Sequence, residues 1–478
     1  MSVLPQAISG MKWTGLSSIV SVLLQMIQIA ILARFLSPDD FGLMALALVL
    51  IGLAQALSDG GISNAIIQNQ KMQLSEYHSL YWFNIGLGVL VCCVLNVLAM
   101  PISMMFDAPE LQQIIHVVSI VFVVQSVGQQ YRMVLQKHFE FNRLALITIV
   151  SKVTVLCVAC ALAMNGFGVY SLVYAAVTDA IIIAAGLLLF GLKYHKPAFH
   201  FLWSEVSKYL SFGAYQTGER FVNLLAGQSD KILIGFFLGP TALGFYTLAW
   251  QLIIFPVQKI NPILTQVMFP IYSKLQNQKE IMAMYFIKTI EILSFLTIPF
   301  FVFVGFFATP IVDLIYGSGW DVSATIIPWL AAIGFIKVIL NPIGSLFVAL
   351  GRVDVTFKMN FVWAIVTTSM LCAALIWRPD ILIVPKTLII LSIVFFGLWF
   401  VMLKRYLPSC YSTYYKSLFV FSCVAVLLSF PLTLLFDISV VFLGGAFAIM
   451  YLCTVFTLKK KMIVEYYEGL KLGFLSND

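Results

Sequence analysis

Bases and amides recur inside the long apolar stretches of this chain, and they recur at helical spacing. Arg220, Lys259 and Lys337 each fall well inside such a stretch. Lys337, Asn341 and Ser345 are spaced four residues apart, which sets them on one face of a helix. Gln216, Arg220, Asn223, Gly227 and Asp230 make a second face, and Thr14, Ser18, Ser21, Gln25 and Gln28 a third. Gln125, Gln129, Arg132 and Gln136 make a fourth, and Gln55 and Asp59 lie in another apolar run. No catalytic signature and no metal-ligand spacing accompanies them; the five histidines are scattered. The chemistry on offer is binding, by charge and by hydrogen bond. A charge held in hydrocarbon costs on the order of a few kcal/mol, so such residues face a cavity or a partner.

Several charges have plainer roles. Arg34 is about one turn from a loop and can snorkel to it, and Arg132 and Lys288 lie near a surface and can do the same. Lys152 is placed to pair with Asp179 or another acid. Glu219–Arg220 and Asp230–Lys231 are sequence neighbours, which do not face each other on a helix, so their partners lie elsewhere. The glutamine stripes can also join helices without touching a ligand. The cysteines sit within or at the ends of apolar runs. The Cys157–Cys160 pair has no second ligand pair, so it reads as small apolar filling.

The elements that must carry these residues are membrane spans. Of 478 residues, 61% are hydrophobic and only 10% are charged, more apolar surface than a soluble globule can hide. Apolar runs of span length begin near Trp13, Phe41, Leu80, Gln113, Arg143, Gly168, Tyr209, Leu243, Tyr285, Ser323, Phe357, Ile381, Tyr414 and Ile438. The fold class is therefore an all-α polytopic membrane protein of about fourteen helices. The first run is too long for a signal-peptide core and lacks a cleavage site, so it is expected to remain as a span. Basic residues such as Lys137, Lys193, Lys196, Lys208, Lys274, Arg352 and Lys404 fall in every second loop. Asp39, Asp40, Asp107, Glu110, Asp313, Asp321 and Asp437 fall in the others. The bias toward basic cytoplasmic loops then puts both termini in the cytoplasm. The net charge of +7 belongs to this topology and to anionic lipid contact. No soluble basic domain exists to bind nucleic acid, and no phosphate-loop motif exists to hydrolyse ATP.

The chain also repeats itself. ILARFLSPDDFGLMALALVL (31–50) and LIGFFLGPTALGFYTLAWQL (233–252) align at a constant offset: Leu36 to Leu238, Pro38 to Pro240 and Gly42 to Gly244 are each 202 residues apart. Two matched halves, each opening with a helix that bears a polar stripe, predict a duplicated bundle around a wet central cavity. The expected organisation is an N-terminal lobe over 1–191 with six spans, a cytoplasmic connector over 192–208, and a second six-span lobe over 209–405. Residues 406–478 supply two accessory spans and a cytoplasmic tail. Pro256, Pro262, Pro270 and Pro342 predict kinked helices.

Seven segments carry a family resemblance: ISGMKW (8–13), LSDGGISNAIIQ (57–68), LYWFNIGLGVLVC (80–92), GQQYRMVLQKHFEFN (128–142), SDKILIGFFLG (229–239), PVQKINPILTQVMFPIYSKLQ (256–276) and NPIGSLFVALGRVDVTFKMN (341–360). The chain resembles the polysaccharide exporters of the multidrug/oligosaccharidyl-lipid/polysaccharide superfamily, which includes the O-antigen flippases. It looks most like colanic and teichuronic acid exporters. The resemblance implies two six-helix bundles facing each other in a V, with two accessory helices, in a bacterial inner membrane. It implies no enzymatic activity and no cofactor. It implies instead translocation of an undecaprenyl-diphosphate-linked oligosaccharide for exopolysaccharide or lipopolysaccharide biosynthesis. On that reading Arg220, Lys259 and Lys337 neutralise the diphosphate or acidic sugars, and Gln216, Asn223, Gln25, Gln28 and Asn341 bond sugar hydroxyls. Asp230, Glu219 and Asp59 become the acids for proton or sodium coupling. Membrane lipids are partners, and a polysaccharide polymerase and glycosyltransferases are candidate ones. Two alternatives share these features in part: an ion-coupled multidrug exporter of the same superfamily, and a membrane polysaccharide polymerase. The first would favour an acidic cavity, and the second a long outer loop.

Overall fold

The computed structural model describes residues 3–58, 72–407, 411–433 and 439–458. The side chains of 3–8, 210–220, 255–256, 259–260, 262–263, 266 and 411–418 lie outside that description. The described chain is helical throughout. In order the helices are α1 (Val3–Leu32), α2 (Pro38–Ser58), α3 (Leu74–Met105), α4 (Pro109–Lys137), α5 (Phe141–Met164), α6 (Tyr170–Gly191), α7 (Trp203–Gly227) and α8 (Ser229–Lys274). They continue as α9 (Lys279–Phe306), α10 (Ala308–Ile315), α11 (Asp321–Ala349), α12 (Val353–Trp377), α13 (Ile383–Tyr406), α14 (Tyr411–Leu432) and α15 (Val440–Leu458). Among the described residues, twelve helices are long and apolar enough to cross a membrane. The two further predicted spans correspond to α7 and α14, each described only in part; the described residues of α14 include the apolar segment Phe419–Leu432.

Local chemistry fixes the breaks. Ser37 caps α2: its hydroxyl donates to Asp40 Oδ2 at 2.7 Å, and the Asp40 amide donates back to it at 3.2 Å, with Pro38 opening the helix. The equivalent break in the second half is at Gly239, whose φ of 81° and ψ of 177° only glycine adopts easily. It divides α8 just before Pro240. A further interruption at Gln228 separates α7 from α8, so the stripe from Gln216 to Asp230 is shared between two helices.

The chain packs as two units. One comprises Met1–Thr247 with Tyr316–Ser318, and the other Leu248–Ile315 with Gly319–Asp478. Packing thus groups α7 and the start of α8 with the first six helices. The reason is visible in the repeated motifs, which cross reciprocally inside the first unit. A Cβ on Gly42 would stand 1.7 Å from the Pro240 carbonyl oxygen, and one on Gly244 would stand 1.8 Å from that of Pro38. The Thr241 hydroxyl donates to Asp39 Oδ1 at 2.8 Å across the same crossing. The two motifs related by the 202-residue offset therefore contact each other through backbone, at a closeness that only glycine permits.

Internal packing follows the duplication. In the first unit α3 packs on α4, α4 on α6, and α5 on α6. In the second, α9 packs on α11, α11 on α13, and α12 on α13. The offset grows to 212 by α11 (Asp321 less Pro109), because α10 and the turn through Gly317 and Gly319, both at positive φ, are inserted ahead of it. The accessory helices α14 and α15 lean on α9. Phe303 stacks on Phe447 at 5.3 Å and Phe295 on Tyr451 at 6.1 Å.

The connector is clamped to the ends of α3 and α4. The Ala198 amide donates to His78 Nδ1, the Trp82 indole donates to the Ala198 carbonyl, and Ser79 links the Leu202 amide to Glu205. His195 stacks on Tyr131 at 5.0 Å and is only 8% exposed. Burial, with His78 nearby, pushes its pKa down to about 4. The Ser79 hydroxyl, 2.5 Å from Glu205, holds that carboxyl below its usual range.

Candidate functional site

A cavity of about 540 Å³ opens within the second unit, lined from α8, α11, α12 and α13. Its volume falls in the usual range for ligand sites. Lys337, Asn341 and Ser345 all line it, so the four-residue spacing on α11 becomes a polar strip along one wall. Lys337 is 16 residues into this 29-residue helix, about 24 Å along it and close to its middle. The lysine is half-buried, and its Nζ stands 4.6 Å from the centroid of the Trp250 ring. A ring face beneath an ammonium offsets part of the cost of withdrawing that charge from water. Asn341 is exposed to the cavity space.

The opposite walls were not singled out from the sequence. Thr356, Asn360 and Trp363 come from α12, and Ser392, Phe395 and Trp399 from α13. Trp363 meets Phe395 edge-on at 4.7 Å and 83°, which fixes its ring. Thr356 Oγ1 is buried without a hydrogen-bond partner. A signal for these residues was present: 356, 360 and 363 follow the i, i+4, i+7 rule of a single helical face. A tryptophan in a hydrophobic span looks like ordinary packing until its neighbours are known.

The remaining predicted site residues are elsewhere. Gln25 and Gln28 lie on α1 in the first unit, the one exposed and the other half-buried. Asn223 is exposed on α7. Asp230, at the start of α8, accepts a 2.7 Å hydrogen bond from the buried Tyr246 hydroxyl and a 2.9 Å bond from the Lys231 amide. Gln216, Glu219 and Arg220 on α7 and Lys259 on α8 belong to helices whose side chains there lie outside the described residues, and Asp59 lies outside them altogether. Lys152 bonds both Asp179 oxygens at 3.1 Å, with Ser151 adding a 2.6 Å bond, the structural ion pair read from the sequence. Among the described residues no group of three or more His, Cys, Asp or Glu side chains could hold a metal ion.

A duplicated, multi-pass helical bundle with a lysine- and amide-lined cavity among its spans is the build of a membrane transporter. The chain belongs to the polysaccharide biosynthesis protein family, whose description matches residues 31–325. It is 32% identical to the lipopolysaccharide biosynthesis protein WzxC of Escherichia coli (strain K12) over 428 residues, 87% of this chain and 85% of that one. It is 32% identical to the teichuronic acid biosynthesis protein TuaB of Bacillus subtilis (strain 168), over 74% of each chain. The lipid II flippase MurJ, in an inward closed conformation, shares the fold with a TM-score of 0.74 at 14% identity, covering 94% of this chain and 99% of that one.

Proposed function

We propose that this protein translocates a lipid-linked oligosaccharide across the bacterial inner membrane, for exopolysaccharide or lipopolysaccharide assembly, with both termini in the cytoplasm. The observation that carries the reading is Lys337 with Asn341 in a cavity among the spans of a polysaccharide-family chain. An ammonium at that depth stabilises an anion in low dielectric, and amides exchange bonds with sugar hydroxyls. Arg220 and Lys259 extend the cationic surface, and Gln216, Asn223, Gln25 and Gln28 the polar one. The lipid tail stays in the bilayer while the polar part passes. Asp230, Glu219 and Asp59 are the acids assigned to ion coupling. Asp230 favours that role because its hydrogen bond from Tyr246 would be exchanged if a proton or ion bound. The lysine in the cavity disfavours a cationic drug as cargo. A single preparation in vesicles separates the two: a lipid-diphosphate oligosaccharide should change leaflet, and a cationic dye should not be extruded down an imposed ion gradient. Dye extrusion without lipid movement would replace this reading with the multidrug one.

A further inference from the structure

The cavity lined by Lys337 has a composition more specific than a generic anion site. Its described lining holds one cation, no carboxylate, two asparagines, four hydroxyls and two tryptophans. Aromatic rings serve little purpose against a phosphate. They suit a pyranose, whose axial C–H bonds form an apolar face that lies flat on an indole. Trp363 is the available platform, half-buried and held edge-on by Phe395. Trp399 is only 8% exposed and packed against Phe347 at 5.6 Å, so it closes the wall.

The polar groups complete the case. Asn341 and Asn360 each offer a donor and an acceptor to ring hydroxyls. Thr356 Oγ1 lines the same space, buried and without a hydrogen-bond partner, a state that a bound hydroxyl would relieve. A cavity of about 540 Å³ admits a fragment of a glycan and not a whole lipid-linked oligosaccharide.

We infer that this cavity is a sugar subsite, in which a pyranose stacks on Trp363 and a carboxylate borne by that sugar meets Lys337. The inference rests on the translocation reading for its biological context, but it concerns recognition and can be tested without transport. The full-length protein in lipid nanodiscs is titrated with three probes: a disaccharide ending in glucuronic acid, its counterpart ending in glucose, and inorganic pyrophosphate. The acidic disaccharide should bind about tenfold more tightly than the neutral one, the scale of one charge-assisted hydrogen bond. Lys337→Gln should remove that preference, and Lys337→Arg should keep it. Trp363→Leu should weaken both disaccharides alike and abolish saturation transfer from the protein to the ring protons. Equal affinity for the acidic and neutral sugars would overturn the inference, and so would tighter binding of pyrophosphate than of the acidic sugar. If lipid-linked glycan crosses the vesicle membrane but no disaccharide binds, the subsite fails and the translocation reading stands. If the disaccharides bind as expected but no lipid crosses, the subsite stands and the translocation reading fails.

Discussion

Lys337 sits near the middle of α11 with its ammonium over an indole ring, and that placement makes it sensitive to substitution. Replacing it with glutamine removes the charge and leaves a slightly shorter polar side chain, so the fold should persist while transport falls by about tenfold or more. A second residue-scale effect belongs to His195. The unfolded imidazole takes up a proton as pH falls through about 6.5, while the folded one resists until about 4. Between those values the unfolded state binds more protons, so stability is full above the window and is lost as pH falls through it. Melting in detergent should therefore drop by a few degrees between pH 7 and 4.5, and His195→Gln should flatten that slope. An equal slope in the variant would remove His195 as the cause.

At the scale of elements, two glycines in the repeated motif are expected to be far less replaceable than their neighbours. Gly42→Ala places a methyl group against the Pro240 carbonyl, and Gly244→Ala does the same at Pro38. Backbone cannot move aside as a flexible side chain can, so each should lower stability by about 3 kcal/mol or more, in the upper range for single changes. Gly52→Ala, on α2 with nothing within 4 Å, should be neutral or stabilising by about 0.5–1 kcal/mol. Thermal unfolding of the three variants side by side decides it. The element scale also shows what could be read from sequence. The 337–341–345 strip was legible because charge and amides stand out in an apolar span. Trp363 was not, because its role depends on Phe395, 32 residues away on another helix. The break at Gln228 was hidden too: Gly227, Ser229 and Asp230 are cap and turn residue types, but the polar stripe from Gln216 to Asp230 keeps its helical spacing across them.

Over the whole molecule, the duplication is the feature that sequence and structure express most alike. Motifs 202 residues apart became a reciprocal crossing, and the helix pairings of one unit recur in the other. The wider offset beyond α10 was less visible, because insertions drift freely in loops. The alternation of basic and acidic loops predicts sidedness. In a cysteine-free background, Lys196→Cys should react with an impermeant thiol reagent only in inverted membrane vesicles, and Asp313→Cys only from the outer face. The reverse pattern would invert the assigned topology.

The most direct test of the account is leaflet exchange of a lipid-diphosphate oligosaccharide in vesicles holding the intact protein or its Lys337→Gln variant. The account predicts protein-dependent exchange that slows by about tenfold or more in the variant, with the same elution and melting as the intact protein. Exchange at an unchanged rate in a correctly folded variant would contradict it, because the lysine of the cavity would then have no part in moving the glycan.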